Sequence, residues 1–340
     1  MAKEYGPHLE RLDAVAASNG FVAIGGARDT PSAASQIHLF NRRGEHRASI
    51  DVNASVCALT FVFDDILIAG TDDGRLIGTA ITDGAPQRLF TLSAHRGAVR
   101  ALCADVLRRR LWSVGDDGML VPFEVQGPQL QAAASVKASD GPLHTLAIDR
   151  EQRRLATAGV DGQVRIFDPD ALGEGPRRTM AVGEGELFSL VFTEDGRLVA
   201  GGGDGTIRLV YTEGAPDEQD RSGDDAHKGA VHGIIFGPAL RDAADKPLPR
   251  RLFSIADDGD VRIWGIDNKR KPKSLSLGRA HPRGVSWLSP PAKAKPEQQG
   301  GHLLIVDRRR RLTFVALGKT GEPTGETSHF GRCQRQRDGC

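Results

Sequence analysis

The sequence predicts an all-β fold that is built by repeating one four-strand unit. Three observations predict it: Asp-Gly pairs recur at a nearly constant spacing, each pair separates two short strand-like runs, and the 340 residues include 41 glycines and 18 prolines. This glycine and proline content is typical of a chain that turns often. Because 39% of the residues are hydrophobic, a chain of this length can also bury a sizeable core.

The Asp-Gly pairs mark five tight turns. They lie 44, 44, 43 and 54 residues apart along the chain. An apolar run that ends in small residues, such as ILIAGTD, precedes each pair, and an alternating run, such as QVRIFD, follows it. Asp-Gly between two such runs is a strong signal for a β-hairpin, because the turn needs a residue that tolerates positive φ. The five aspartates are Asp73, Asp117, Asp161, Asp204 and Asp258.

Two further strands complete each unit. An apolar run such as SVCALTFV precedes each hairpin, and a more polar segment offers an outer strand. Degenerate units over residues 9–47 and 282–317 bring the total to seven. A repeat of about 40–45 residues with four short strands is typical of a propeller blade, since radial packing buries both faces of a small sheet. We therefore predict a single seven-bladed β-propeller of four-stranded antiparallel blades over residues 1–318, followed by a polar tail over residues 319–340 that we expect to be flexible.

The units resemble WD repeats. That family carries a Gly-His or similar pair before the first strand, an Asp in the turn between strands two and three, and Trp-Asp at the end of strand three. The five turn aspartates stand at the second position, and Trp264 stands at the third. The first position is held by Ala94-His95, Ala226-His227 and Ala280-His281. The resemblance extends from about Leu9 to Leu317 and implies a non-catalytic scaffold that holds other proteins together.

The resemblance also implies a structural role for two sets of polar residues. Each set would form a buried hydrogen-bond network that pins a loop to a turn. The same residue types match a Ser-His-Asp triad, but a triad is defined by its geometry, and a set that recurs in two blades favours the structural role. His281 lacks such a partner because Arg309 stands at the aligned position, so we expect a less rigid closing blade. The two sets are His95, Ser113 and Asp117, and His227, Ser254 and Asp258 with Trp264.

Basic residues collect on one predicted face although the formal net charge is only +1. This face contains the loops that join strands one to two and three to four. Two long polar insertions, residues 238–250 and 290–301, leave the same face, and long loops on rigid scaffolds often carry function. We predict that a partner protein docks there on blades six and seven. The predicted docking residues are Arg250, Arg251, Lys269, Arg270, Lys271 and Lys273.

Two other functions stay open. Nucleic-acid binding would use the same basic face, although aromatic residues make up only 5% of the chain and the basic loops contain none. A lactonase-like propeller hydrolase would need metal ligands at the central channel, where His144 and His232 are the only ionisable residues predicted beside the mostly apolar strand starts. Those starts are Val56, Val99, Leu143, Leu187, Val231 and Val285. We predict no enzymatic activity, no cofactor and no metal site, and protein partners.

The sequence also predicts the cellular location of the protein. The first residues do not read as a secretory signal, no apolar run is long enough to span a membrane, and the four cysteines show neither disulfide nor zinc spacing, so we expect a cytoplasmic protein.

The outer strand of the last blade could come from Tyr5–Leu9 or from Glu326–Phe330. The resemblance favours Tyr5–Leu9, because the family commonly joins both termini in one blade.

Overall fold

Seven antiparallel sheets surround one axis. The computed structural model describes residues 11–27, 35–82, 85–105, 108–149, 151, 153–210, 212, 219–221, 227–237, 250–265, 271–278, 280–290, 300–318, 320 and 322–330. The first strand of each sheet contacts the first strand of the next sheet, and the first strand of sheet one contacts that of sheet seven, so the ring is closed. The predicted seven-bladed β-propeller is confirmed.

The strands of a blade follow one another from the axis outward in chain order, and in blade three the outer strand is split into two pieces. Blades one to four contain β1 (Arg11–Ala17), β2 (Phe21–Ala27), β3 (Ser35–Asn41) and β4 (His46–Val52); β5 (Val56–Val62), β6 (Ile66–Thr71), β7 (Arg75–Thr82) and β8 (Ala85–Ser93); β9 (Val99–Asp105), β10 (Arg110–Gly115), β11 (Met119–Gln126), β12 (Gln129–Ala132) and β13 (Val136–Lys137); and β14 (Leu143–Ile148), β15 (Leu155–Gly159), β16 (Gln163–Phe167) and β17 (Arg178–Ala181). Blades five to seven contain β18 (Leu187–Phe192), β19 (Leu198–Gly202), β20 (Ile207–Val210) and β21 (Gln219–Arg221); β22 (Val231–Phe236), β23 (Arg251–Ala256), β24 (Asp260–Gly265) and β25 (Lys273–Ser276); and β26 (Pro282–Leu288), β27 (His302–Asp307), β28 (Leu312–Leu317) and β29 (Pro323–Phe330).

Helix is almost absent from the described residues. One 3-10 turn at Leu172–Glu174 is the helical segment among them. No helix in this part of the chain has the length and apolar character needed to cross a membrane.

The Asp-Gly turns hold each blade to the loop that leads into the next blade. Gly74 has a φ of 86°, and its carbonyl accepts hydrogen bonds from the N–H groups of Ala94 and His95 at 2.9 and 3.0 Å. A Cβ on Gly74 would stand 2.1 Å from the His95 carbonyl oxygen, so the conformation and the close approach both require glycine. Positive φ recurs at Gly118, Gly162, Gly205 and Gly259.

The core consists of seven apolar clusters, one between each pair of neighbouring blades. Between blades seven and one, for example, Leu12 and Ile24 pack with Leu304 and Phe314. Both faces of every blade are therefore covered by a neighbour, as expected for small sheets that cannot bury enough apolar surface alone.

The last blade takes its outer strand from the C-terminal segment. β29 pairs with β28, so the expectation that Tyr5–Leu9 forms this strand is wrong, and Tyr5–Leu9 itself lies outside the described residues. A hairpin after residue 318 supplies the strand by a short connection, which closes a far smaller loop than recruiting the other end of the chain. Residues 323–330 are therefore strand within the segment expected to be a flexible tail, while residues 331–340 lie outside the described residues.

Candidate functional site

One β-bulge interrupts the inner strand of every blade near its start. At each bulge one extra residue separates two residues that pair with neighbouring positions on the second strand. The residue before the bulge is buried in all seven blades, whereas the bulged residue is not. Bulges redirect side chains and are common beside functional sites. The bulged residues, which we call the channel-mouth ring, are Asp13, Cys57, Arg100, His144, Phe188, His232 and Arg283.

Contacts between side chains link the ring across blades four to seven. The ring centroids of His144 and Phe188 are 5.0 Å apart with an interplanar angle of 24°, and those of Phe188 and His232 are 5.1 Å apart. Nε2 of His232 lies 3.0 Å from Oδ2 of Asp257. Oδ1 of the same carboxylate lies 2.9 Å from Nη2 of Arg283. A strip of aromatic rings therefore ends at a carboxylate shared by a histidine and an arginine.

The opposite part of the ring carries a fixed charge pair and a neutral thiol. Nε and Nη2 of Arg100 donate to the two carboxylate oxygens of Asp116 at 2.6 and 2.7 Å, which is a bidentate pair. Burial raises the pKa of the Cys57 thiol to about 12, so Cys57 stays protonated at neutral pH. The guanidinium of Arg100 is held in one orientation at the mouth of the channel.

The two histidines of the ring are neutral at physiological pH. Burial and the charge of Arg283 lower the pKa of His232 to about 4, although Asp257 opposes the shift. Burial also lowers the pKa of His144, against the opposing charge of Glu186. A neutral imidazole can stack on another ring and can both donate and accept hydrogen bonds. The channel-mouth ring therefore presents aromatic and hydrogen-bonding groups between charged ones.

His95 connects a serine to a turn aspartate in blade three. Its Nδ1 lies 2.9 Å from Oδ1 of Asp117, and its Nε2 lies 2.7 Å from the Ser113 hydroxyl. The N–H groups of Arg96 and Met119 donate to the same carboxylate at 2.9 and 3.1 Å. The loop before blade three is thereby fastened to the turn within it.

His227 makes the same connection in blade six. Its Nδ1 lies 2.9 Å from Oδ2 of Asp258, and its Nε2 lies 2.8 Å from the Ser254 hydroxyl. Nε1 of Trp264 donates to that hydroxyl at 2.8 Å, and the N–H of Lys228 donates to Asp258 at 2.9 Å. Burial lowers the pKa of His227, so the imidazole is neutral at pH 7 and its Nε2 accepts a hydrogen bond from the Ser254 hydroxyl.

Both sets have the distances of a Ser-His-Asp triad, yet their serines cannot meet a substrate. Ser113 and Ser254 are both 0% exposed. A nucleophilic hydroxyl has to reach the reacting carbonyl, so the arrangement is suited to fastening a loop and not to attacking a substrate. Among the described residues, no group of three or more His, Cys, Asp or Glu side chains is arranged to hold a metal ion.

Acidic residues neutralise part of the predicted docking surface. Nη1 of Arg250 lies 3.0 Å from Oε1 of Glu194. Arg251 and Lys273 both contact Glu322, at 3.1 and 3.2 Å. Sequence reasoning missed these pairs because Glu194 and Glu322 belong to a different blade from the basic residue that each contacts.

Two other arginines on that face are also paired with carboxylates. Arg110 contacts Asp170 at 2.9 Å and Arg154 contacts Asp149 at 3.0 Å. Of the other predicted docking residues, Lys271 is exposed. Lys269 and Arg270 lie outside the described residues, as do most of the insertions over 238–250 and 290–301. These pairs weigh against a nucleic-acid surface, which needs cations that are available to phosphates.

The channel-mouth ring was largely missed by the sequence analysis. His144 and His232 are not the only ionisable residues in this register, since Asp13, Arg100 and Arg283 share it. In blade seven, Pro282 and not Val285 is the buried residue before the bulge, because Pro282 pairs with Asp307 at the start of the sheet. The residue that follows the first buried position of each inner strand was the signal available in the sequence.

Comparison with known proteins agrees with the fold. Residues 177–210 match the family model for the WD domain, G-beta repeat, which here runs from β17 of blade four through β20 of blade five. A search of curated protein sequences found no match.

Solved structures have the same fold over nearly the whole chain. Sqt1 from Chaetomium thermophilum has a TM-score of 0.73 at 18% identity, covering 97% of this chain and 89% of that one. Sqt1 bound to the N-terminus of the ribosomal protein L10 has a TM-score of 0.70 at 18% identity, covering 93% and 87%. The WD40 β-propeller domain of Doa1 has a TM-score of 0.67 at 17% identity, covering 91% and 93%. The chain is a seven-bladed β-propeller. Residues 177–210 match a WD repeat, and the fold is similar to that of a solved WD40 β-propeller domain.

Proposed function

We propose that this protein is a non-catalytic interaction scaffold that binds a segment of a partner protein at the channel-mouth ring. The observation that carries the proposal is the set of seven bulged residues, one from each blade, that the sheets hold around a single opening. A surface made of rigid strands loses little conformational entropy when it binds.

The chemistry of the ring suits a peptide. Interfaces are enriched in aromatic residues and arginine, which the ring supplies as Phe188, Arg100 and Arg283. The two neutral histidines add donors and acceptors that can pair with a peptide backbone. One of the structural relatives, Sqt1, has been crystallised with the N-terminus of a ribosomal protein, which supports a protein segment as the class of ligand.

Affinity purification from the native host tests the proposal. A variant with Arg100→Ala, Phe188→Ala and His232→Ala is expected to lose the specific partners that the wild type retains, because it removes charge and stacking surface from three blades. A matched control carries Gln87→Ala, Thr91→Ala and Ser93→Ala on the exposed outer strand β8 and is expected to keep them. Recovery of the same partners by the ring variant would contradict the proposal.

A further inference from the structure

We propose that Phe63 and Arg109 form a second docking site on the face opposite the channel mouth. Its ligand is a peptide segment of a partner protein that presents a carboxylate beside an apolar side chain. Both residues lie in loops between the first and second strands, in the neighbouring blades two and three.

The Phe63 side chain is exposed to solvent, and its backbone has an unusual conformation. Among the described residues it is the large hydrophobic side chain that is exposed, at 37%. Its φ is 59°, in the left-handed region that bulky side chains rarely adopt. Conformations of this kind persist only where the surroundings enforce them, and they cluster at ligand-binding positions.

Hydrogen bonds on both sides fix the turn that carries Phe63. The carboxylate of Asp64 accepts hydrogen bonds from the backbone N–H and the side-chain amide of Asn19, at 3.2 and 2.8 Å. The carbonyl of Asp65 accepts one from the N–H of Ile81 at 2.8 Å. The aromatic ring is therefore positioned before any ligand arrives.

Arg109 is positioned beside that ring by a second left-handed residue. Its φ is 53°, and its carbonyl accepts a hydrogen bond from the N–H of Val125 at 2.7 Å. Its guanidinium carbon lies 5.9 Å from the centroid of the Phe63 ring, within the range of a cation–π contact. Two residues with the same rare conformation thus meet across a blade border.

The charge of Arg109 is available to a ligand. The Arg109 side chain lines a surface pocket of about 580 Å³, together with Arg108, Arg110 and Glu124. Arg108 and Arg110 are directed to Asp170, at 3.5 and 2.9 Å. Within the described residues, no carboxylate lies within ion-pair distance of Arg109. An incoming carboxylate would supply that partner while an adjacent apolar side chain covers Phe63.

A peptide fits this surface better than a nucleic acid. Because Asp170 pairs with Arg108 and Arg110, the charge of Arg109 is the one left over, which suits a single carboxylate and not a run of phosphates. One aromatic ring also offers a single stacking platform, whereas single-strand binders stack successive bases on several. An exposed aromatic residue beside an arginine is instead the composition of a protein-binding hot spot.

Binding to synthetic peptides tests the proposal. The probes are an array of short peptides that place Asp or Glu next to Leu, Phe or Trp, the same array with Lys replacing the acid, and oligothymidine. Phe63→Asn and Arg109→Asn each remove one side chain and leave a residue that tolerates positive φ. Arg310→Asn is the matched control, since Arg310 has a φ of 65° but lies on the channel-mouth face in blade seven.

The wild type and Arg310→Asn are expected to bind the same acidic peptides with equal affinity by fluorescence polarisation. Phe63→Asn and Arg109→Asn are expected to bind them at least about tenfold more weakly. The thermal midpoint of Phe63→Asn should be equal to or above that of the wild type, because a strained conformation is relieved. Equal binding of the lysine peptides, preferential binding of oligothymidine, or a lowered midpoint for Phe63→Asn would each overturn the proposal.

Discussion

The turn aspartates divide the blades into two groups. In blades three and six, Asp117 and Asp258 receive a hydrogen bond from a histidine that lies in the loop before the blade. In blades two, four and five, the aspartate instead binds an arginine two or four residues further along its own hairpin, as in Asp73–Arg75, Asp161–Arg165 and Asp204–Arg208.

The aspartate of the Asp-Gly turn therefore has a different structural role in each group of blades. The histidine-bound carboxylates are only 13% and 9% exposed, whereas the arginine-bound ones are 46%, 28% and 47% exposed. The N–H groups of His95 and His227 also donate to the carbonyls of Gly74 and Gly205 in the preceding blades. Each histidine thus ties two blades together, while each arginine pair is local and screened by solvent.

Asp258→Ala is expected to have the largest effect. The substitution removes the acceptor of the His227 side chain and of the N–H groups of Lys228 and Asp260, and it leaves a buried donor without a partner. We expect the free energy of unfolding to fall by about 3 kcal/mol, measured by urea denaturation.

Asp204→Ala is the matched control for this prediction. The side chain of Arg208 lowers the pKa of Asp204 strongly, but the carboxylate is half exposed, so we expect a loss of about 0.5 kcal/mol. Equal losses in the two variants would remove the distinction between the two groups of blades.

Ser139→His is expected to convert blade four from one group to the other. Ser139 stands where His95 stands in blade three, and its hydroxyl lies 3.5 Å from Asp161. Thr157 stands where Ser113 stands, and its buried hydroxyl has no hydrogen-bond partner among the described residues. A histidine could reach both groups, and we expect a gain of about 1 kcal/mol in the free energy of unfolding.

Blade six indicates that the new side chain and the existing arginine can coexist. Arg262 occupies the position of Arg165 there, 4.0 Å from Asp258, beside an intact histidine network. The double variant Ser139→His with Thr157→Val removes the second partner and should lose most of the gain. A destabilised single variant would show that blade four lacks the space.

Mild acid should weaken the histidine network of blade six. Burial lowers the pKa of His227 in the folded state, so the unfolded chain takes up a proton at higher pH, near the usual value of about 6.5. The contribution of this group to stability is therefore full above that value and decreases as the pH falls below it. The aspartates of the arginine-bound turns stay ionised throughout this range, because hydrogen bonds from arginine side chains lower the pKa values of Asp73, Asp161 and Asp204.

Urea denaturation of the wild type and of His227→Gln at several pH values between 7.5 and 5 measures this difference, about the usual histidine pKa of roughly 6.5. The variant is expected to show a shallower dependence of unfolding free energy on pH, whatever its absolute stability. Parallel dependences would show that other groups account for the acid sensitivity, among them His232, whose pKa burial lowers to about 4.

Local sequence signals predicted the fold. They also predicted which histidine, serine and aspartate belong to each of the two hydrogen-bond networks. The Asp-Gly turns and the alternating runs lie within one hairpin, so their meaning depends on neighbours in sequence. Ser113 and Ser254 could be placed beside His95 and His227 because the repeat fixes the register of each blade.

Features that depend on contacts between blades could not be predicted in the same way. The partner of Arg250 is Glu194 in another blade, and no pattern within one repeat indicates that pair. The bulges could not be predicted from the sequence, because one extra residue leaves the apolar pattern of a short strand almost unchanged. The strand over residues 323–330 contains few apolar residues, so composition could not favour Glu326–Phe330 over Tyr5–Leu9 as the outer strand.

The closure of the ring has a mechanical consequence. Every blade is one continuous segment, and in the described part of the chain no strand of blade one pairs with a strand of blade seven. The two blades meet through apolar side chains and through a hydrogen bond from Arg42 to the Ser289 carbonyl. Tension applied between Arg11 and Phe330 would separate blades one and seven without breaking any strand pairing among the described residues, so this border is the place where the ring opens most easily.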